Sequence, residues 1–267
     1  MTTPTKIHKD VQEHYGKFAA AGTSCCPSQN SLYPLDALED LPADITGFTA
    51  GSGDPVTPAQ LQPGETVLDL GSGGGLDCFL AARQVGESGW VIGVDMTAGM
   101  LARARQNAER LGAANVEFRE GYLESLPVDD HSEDVVISNC VINLSPDKPQ
   151  VFGDIFRVLK PGGRISISDI VTNRPVPAAR RADQEDWCGC TSGALTSADF
   201  AAGLREAGFV DVTLTPEIAL VKKAIESGQA RIPAGVTKEE VFQDLHDWEG
   251  CEKNIFLPHL ISARKPA

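Results

Sequence analysis

Apolar and polar positions follow two different periods along this chain. In residues 6–20, Val11, Tyr15 and Phe18 recur at helical spacing, which predicts a short amphipathic helix. A stretch rich in Gly, Ser, Pro and Asn follows. Residues 34–60 are then broken by Pro34, Pro42, Pro55 and Pro58, an irregular lead-in with room for one short helix. From residue 64 the pattern becomes strand, turn, helix, strand. The short apolar runs at 66–70, 90–94, 116–119, 134–138 and 164–168 predict strands, the first of them a buried parallel strand. Between them, residues 77–85, 98–111 and 150–159 read as helices, the last ended by Lys160-Pro-Gly-Gly163.

Strands alternating with helices at this spacing predict a mostly parallel, doubly wound α/β sheet of Rossmann-like form. Beyond Asp169 the pattern loosens. A helix at 200–208, a strand at 210–214 and a last edge strand at 259–263 are expected around an amphipathic, mixed stretch at 218–253. The expected division is an N-terminal lid and lead-in (1–60), a nucleotide-binding α/β domain (61–170) and a substrate-binding and C-terminal α+β region (171–267).

Composition narrows the partners. The chain has 267 residues, 42% of them hydrophobic, with 23 Lys+Arg against 37 Asp+Glu and a formal net charge of −14. That charge repels nucleic-acid backbones and anionic membrane surfaces, so neither is an expected partner. No apolar run approaches the roughly 18 residues of a bilayer span. The first 16 residues carry no apolar signal core, so the cytoplasm is the expected location. Seven cysteines are present without a C-x-x-C spacing, which excludes the usual zinc patterns. For any one of them, a small buried hydrophobe is the default reading.

Gly71-Ser-Gly-Gly-Gly75 sits between a predicted strand and a predicted helix, where a nucleotide binds in many α/β folds. Leu76 stands where the dinucleotide fingerprint wants its third glycine, which disfavours a pyrophosphate. Asp95 ends the second strand, about 20 residues further on, where a carboxylate accepts from both ribose hydroxyls. The ligand therefore reads as a nucleoside with a tail that is not a phosphate.

Val67-Leu-Asp-Leu-Gly-Ser-Gly-Gly-Gly75, Gly93-Val-Asp95-Met96 and Leu159-Lys-Pro-Gly-Gly163 together resemble the signatures of class I methyltransferases that use S-adenosylmethionine (SAM). The resemblance implies that Gly71 and Gly73 approach the methionine portion of SAM. It implies that Asp95 holds the ribose, that Met96 packs on the adenine, and that Tyr122 and Leu123 border it. Asn139 would lie near the methionine tail.

Ser138-Asn-Cys-Val-Ile-Asn-Leu-Ser-Pro-Asp-Lys148 places a cysteine after the fourth strand, where amine-modifying enzymes carry a polar-proline turn. A thiolate orients an amine or hydroxyl poorly and suits a soft, thiophilic centre. This stretch, with Val94-Asp-Met-Thr97, Val11-x-x-His-Tyr-Gly16 and Trp187-Cys-Gly-Cys-Thr-Ser-Gly-Ala-Leu195, is similar to the arsenite methyltransferases. The similarity implies that Cys140 and Cys190 hold trivalent arsenic, with Cys188 a less favoured partner and Tyr15 a lid contact to SAM. Many members of that family also carry a cysteine shortly before the first strand, and here the matching position is Ser52. A serine hydroxyl is a hard donor and cannot replace a thiolate. The third arsenic ligand is then a small thiol, a hydroxide, or Cys25 or Cys26.

The implied activity is transfer of the SAM methyl to thiol-bound As(III), free arsenite or its thiol conjugate being the substrate. Glutathione or a reduced thiol protein would serve as co-reactant, with a thioredoxin-type reductant as partner. Two other readings stay open: methylation of a small organic carbon or oxygen acceptor, and a SAM-binding protein that senses or sequesters a metalloid. Cys78 and Cys251 read as structural.

Overall fold

β1 (Thr66–Leu70) is an interior strand of the sheet, and Val67, Leu68 and Leu70 are wholly inaccessible to solvent. Burying each such side chain stabilises the fold by about 1.5–3 kcal/mol, so the first strand's apolar run is enough to anchor it. The computed structural model describes residues 5–22, 33–34, 36–183, 187–228, 232 and 236–267. Along these run α1 (Lys6–Ala21), α2 (Ala43–Thr46), β1, α3 (Leu76–Val85), β2 (Trp90–Asp95), α4 (Ala98–Leu111), β3 (Val116–Glu120) and β4 (Glu133–Asn139). Then come α5 (Lys148–Val158), β5 (Leu159–Thr172), α6 (Ala178–Arg181), α7 (Ser197–Glu206), β6 (Val210–Pro216), α8 (Ile218–Glu226), α9 (Lys238–His246) and β7 (Phe256–Arg264).

The strands form one seven-stranded sheet in the order β3-β2-β1-β4-β5-β7-β6. β1 to β5 pair in parallel, and β7 runs antiparallel between β5 and β6. The doubly wound, Rossmann-like expectation therefore holds. Alternate residues of β1 feed separate clusters: Leu68 and Leu70 pack with Phe152, Ile155 and Phe200, whereas Val67 packs with Phe79, Ala81 and Leu101. Helices thus cover both faces, as a parallel sheet requires.

Local signals explain the helix ends. Thr5 caps α1 in a reciprocal capping box with His8, and Gly22 ends it with φ 65°. Asp147 caps α5 by accepting from the Gln150 amide.

Two expectations are corrected. The segment expected as an edge strand at 259–263 is an interior strand: β7 lies between β5 and β6, and β6 is the edge. The alternating burial of Leu257, His259, Ile261 and Ala263 marks a strand covered on one side but does not reveal its neighbours. Lys160-Pro-Gly-Gly163 does not separate α5 from the next strand. Leu159 is already extended (φ −67°, ψ 137°), and the four residues bulge between the pairs Glu133–Leu159 and Val135–Arg164. The region 171–267 supplies β6 and β7 to the same sheet as β1 to β5.

The strand order reverses between β1 and β4, and such a switch point opens a crevice at the carboxyl ends of the two strands. Gly71 leaves β1 there and Cys140 leaves β4. Among the described residues, no helix is long and apolar enough to cross a membrane.

Candidate functional site

A cavity fills the crevice, and the residues expected at the cofactor line it: Gly71, Gly73, Asp95, Met96, Tyr122, Leu123, Asn139 and Tyr15. Cys140 lines it as well. The glycine loop is shaped by two separate demands. Gly71 has φ +66°, and a Cβ there would stand 2.5 Å from Val141 Cγ2, so the loop presses against the residue following Cys140. Gly73 has φ +50° and nothing within 4 Å of a built Cβ, so the side of the loop at its Cα is open.

Asp95 holds this loop from below. Its Oδ2 accepts from the Gly73 amide at 3.0 Å and its Oδ1 from the Thr97 amide at 2.8 Å. Burial raises its pKa, and the amide bonds oppose that rise. Each carboxylate oxygen retains capacity for a further donor. A strand-end cap and a ribose acceptor are thus compatible roles of one side chain.

Asp77 in the first turn of α3 was not singled out by the sequence, yet it lines the same cavity. It accepts from the Tyr33 hydroxyl at 2.8 Å and from Asn139 Nδ2 at 3.1 Å. Burial lifts its pKa to about 7, against those two hydrogen bonds. Asp69 beneath it is pushed well above the usual carboxylate range by burial and by the charge of Asp77. The Cys78 thiol donates to Asp69 at 3.1 Å and is fully buried, so Cys78 is structural, as expected.

Asn139 lines the cavity with its polar atoms already engaged. Its Nδ2 also donates to Gly53 O at 2.8 Å and Tyr33 Oη at 2.9 Å, and its Oδ1 accepts from Ser52 N at 2.8 Å. It therefore pins the loop around Ser52 over the end of β4. A Cβ on Gly51 would stand 2.3 Å from its amide, so that loop lies flat on Asn139.

α1 closes the cavity with His8, Val11, Tyr15 and Phe18. Its docking contacts escaped the sequence reading. The Thr5 amide donates to His8 Nδ1 at 3.1 Å, which leaves the proton on Nε2 to donate to Glu124 Oε1 at 3.1 Å. Ser145, on the turn after Cys140, donates to the same Glu124 oxygen. Gln12 donates to the Met96 carbonyl at 2.7 Å. The available signal was one helix face, since His8, Gln12 and Tyr15 follow each other at intervals of three and four residues.

The expected thiols converge beside this lid. Cys140 takes φ +59° as the chain leaves β4, and its amide donates to Ser168 O at 2.8 Å. Cys190, at φ +62°, donates its thiol to the Cys140 carbonyl at 3.0 Å. Both cysteines thus take the left-handed backbone region, which non-glycine residues seldom adopt and which costs conformational energy. Cys188 is buried in the same cluster, where burial raises its thiol pKa, and its carbonyl accepts from the Tyr15 hydroxyl at 3.0 Å. Cys25 and Cys26 lie outside the described residues. Among the described residues, no three His, Cys, Asp or Glu side chains are grouped to hold a metal ion.

Ser52 stands beside the end of β4, where its amide donates to Asn139. Its hydroxyl lies 3.2 Å from the Ser168 hydroxyl, on the residue whose carbonyl takes the Cys140 amide. Lys148, also missed by the sequence reading, is buried behind the turn that carries Cys140, and burial lowers its pKa to about 8. Cys251 is remote from these thiols in the chain and donates to Asp244 at 3.6 Å.

Comparison with known proteins agrees with this arrangement. A family model described as a methyltransferase domain matches residues 61–208. An arsenite methyltransferase of Halobacterium salinarum is 39% identical, the match covering 99% of this chain and 68% of that protein. An arsenite methyltransferase of Aquipseudomonas alcaligenes is 42% identical over 79% of this chain and 64% of its own length. The chain thus spans about two thirds of the length of these curated relatives. The crystal structure of an arsenic(III) S-adenosylmethionine methyltransferase from Chlamydomonas reinhardtii superposes with a TM-score of 0.63. It is 33% identical and covers 87% of this chain and 72% of that one. With the strand order, the glycine loop and the paired cysteines in place, the chain belongs to the arsenite methyltransferase family within the class I SAM-dependent methyltransferases.

Proposed function

We propose that this protein transfers the methyl group of SAM to trivalent arsenic held by Cys140 and Cys190. The observation that carries this reading is the Cys190 thiol resting on the Cys140 carbonyl beside the cavity at the switch point.

The cavity fits SAM by its own chemistry. Gly73 leaves open space where a side chain would stand, Ser72 Oγ is buried with no partner among the described residues, and the Asp77 and Asp95 carboxyls line the wall. Such a wall suits a cationic ligand rich in hydroxyl and amine donors. When bound, SAM supplies a methyl group on a positively charged sulfur, an electrophile for the lone pair that As(III) retains. Asp95 is assigned to the ribose hydroxyls, Met96, Tyr122 and Leu123 to the adenine, and Gly71, Gly73 and Asn139 to the side of the methionine tail. Tyr15 covers the cofactor and fastens the loop of Cys188.

Arsenic needs little acid–base help, because it is already nucleophilic, so position is what the protein contributes. Cys140 presents arsenic from the end of β4, next to the glycine loop that Val141 touches. Cys190 closes from the opposite loop. Cys188 is the weaker candidate, since its carbonyl serves Tyr15 while Cys190 is the thiol directed at Cys140. α1 and the apolar cluster of Val11, Leu144 and Trp187 exclude water from the thiols. The third ligand falls to a small thiol such as glutathione, to hydroxide, or to Cys25 or Cys26. The transfer releases S-adenosylhomocysteine and leaves arsenic formally pentavalent. Two thiols would return it to the trivalent state by giving up two electrons as a disulfide, which glutathione or a reduced thiol protein of thioredoxin type would reopen.

Incubating the protein with SAM, As(III) and glutathione and separating the arsenic species tests the reading. Methylated arsenic is expected. SAM bound normally with arsenic unmethylated would overturn it, in favour of an organic acceptor if As(III) leaves the thiols reactive, or of a metalloid-sequestering role if it protects them.

A further inference from the structure

Lys148 begins α5, yet its side chain turns back into the protein instead of reaching solvent, and only 9% of the residue is exposed. Burying an ammonium is costly unless nearby acceptors offset the lost water. Here the acceptors are main-chain carbonyls, Asn143 O at 3.3 Å and Ser145 O at 3.0 Å. Both belong to the turn that follows Cys140. Around the same ammonium, the loop that carries Cys190 closes from the other side. The Trp187 ring centroid lies 5.6 Å from Nζ, within cation–π range. Trp187 Nε1 donates to Leu144 O at 3.1 Å, in the turn that Lys148 holds. Gly193 comes so close that a Cβ on it would stand 2.0 Å from Asn143 O and 3.2 Å from Lys148 Nζ.

Resting on the arsenic-binding reading of Cys140 and Cys190, we propose that Lys148 is a positioning residue for that pair. Its ammonium ties the Asn143–Ser145 turn against the Trp187–Gly193 loop, and so sets how Cys190 meets Cys140. A turn of this length closes without a buried cation, and an apolar residue at the helix start would avoid the desolvation. The ammonium adds one centre that both carbonyls share while lying beside the facing loop. Its four-carbon stem lets the centre follow small changes in spacing as arsenic enters and leaves. The turn is also held from beneath, where Asn143 Nδ2 donates to Asp169 Oδ1 at 2.8 Å and Ile170 O at 2.6 Å. Lys148 therefore acts on the approach of the two loops rather than on the turn's own shape.

Lys148→Met keeps the stem and removes the cation, and Lys148→Arg keeps a cation with several donors. Arsenite binding is read as protection of Cys140 and Cys190 from maleimide, by mass spectrometry, and SAM binding is read separately by calorimetry. Lys148→Met is expected to weaken arsenite protection and raise the arsenite KM by about tenfold or more, the loss expected for hydrogen bonds to a charged group. SAM affinity should stay within about twofold, and Lys148→Arg should recover part of the loss. Gly193→Ala, which forces the loop off Asn143 from the opposite side, should reproduce the arsenite-specific defect even if Lys148→Met fails to fold. Equal arsenite protection in wild type and Lys148→Met overturns the proposal, as does a parallel fall in SAM and arsenite affinity in Gly193→Ala. Wild-type protein that shows no arsenite protection at either cysteine would instead overturn the arsenic-binding reading itself.

Discussion

The thiol of Cys190 donates to the main-chain carbonyl of Cys140 at 3.0 Å, joining residues 50 positions apart in the chain. One strand end and one distant loop thus meet through this contact. Cys140→Ser and Cys190→Ser are each expected to lower methyl transfer to arsenic by roughly a hundredfold or more. SAM affinity should be retained, because neither thiol is among the groups assigned to the cofactor. Cys188→Ser should leave most activity in place. Arsenic speciation over time with the three variants is the measurement, and a Cys188→Ser defect equal to that of Cys190→Ser would reverse the assignment between them.

Ser52 lies 3.2 Å from Ser168 Oγ, and the Ser168 carbonyl takes the Cys140 amide. Ser52→Cys therefore adds a soft donor on the Cys140 side of the site. Retention of As(III) should tighten by roughly tenfold, about 1.4 kcal/mol, and the product ratio should move towards more highly methylated arsenic. An unchanged dissociation constant for As(III) would mean that the Ser52 loop does not reach the arsenic.

Asp77 titrates at about 7 because burial resists its charge. Its ordinary value is about 3.9, so the unfolded chain ionises first as pH rises. The stability contributed by its protonated form is complete below about 3.9 and is lost as pH rises through about 7. Asp169, also raised to about 7 by burial, follows the same direction. The ligand-free protein should therefore melt at a lower temperature at about pH 8 than at about pH 5. A cationic ligand reverses the preference of Asp77, so SAM should bind more tightly across the same rise. S-adenosylhomocysteine, which lacks the sulfonium charge, should show the smaller pH dependence, and equal slopes for the two ligands would contradict the role of the carboxyl.

Tyr15 reaches from the lid to the Cys188 carbonyl at 3.0 Å. Tyr15→Phe keeps the ring over the cavity and removes the bond to Cys188, a neutral hydrogen bond of about 1 kcal/mol. The arsenite KM should rise about fivefold, while SAM affinity changes less. Steady-state kinetics with each substrate varied in turn separates the two effects.

Much of this architecture was legible in the residues. The apolar run at Val67–Leu70, the glycines after it and Asp95 sit within one strand-turn-helix-strand unit, where local sequence fixes local geometry. The place of Cys140 directly after the fourth strand was legible for the same reason. The contacts of Asp77 and His8 were not, because each depends on a partner far along the chain, and the burial of Lys148 was not, because the distant Trp187 loop covers it. His8 meets Glu124 across 116 positions, and Asn139 meets Asp77 across 62. The position of β7 was hidden too, since alternation reports which side of a strand is covered and not which strand lies next to it.

The sequence by itself determined the alternation of strands and helices, the nucleoside-type loop and the place of a cysteine just after β4, all of which are set by residue types at short spacing. The tertiary structure decided which thiol faces Cys140, where Ser52 stands and why a lysine is buried behind the pair. The first and last depend on how the loops after β4 and α6 close on each other under α1, and the second on how Asn139 and Ser168 hold the loop before β1 over the end of β4. Packing across the sheet's carboxyl edge fixes that closure, and no local spacing encodes it.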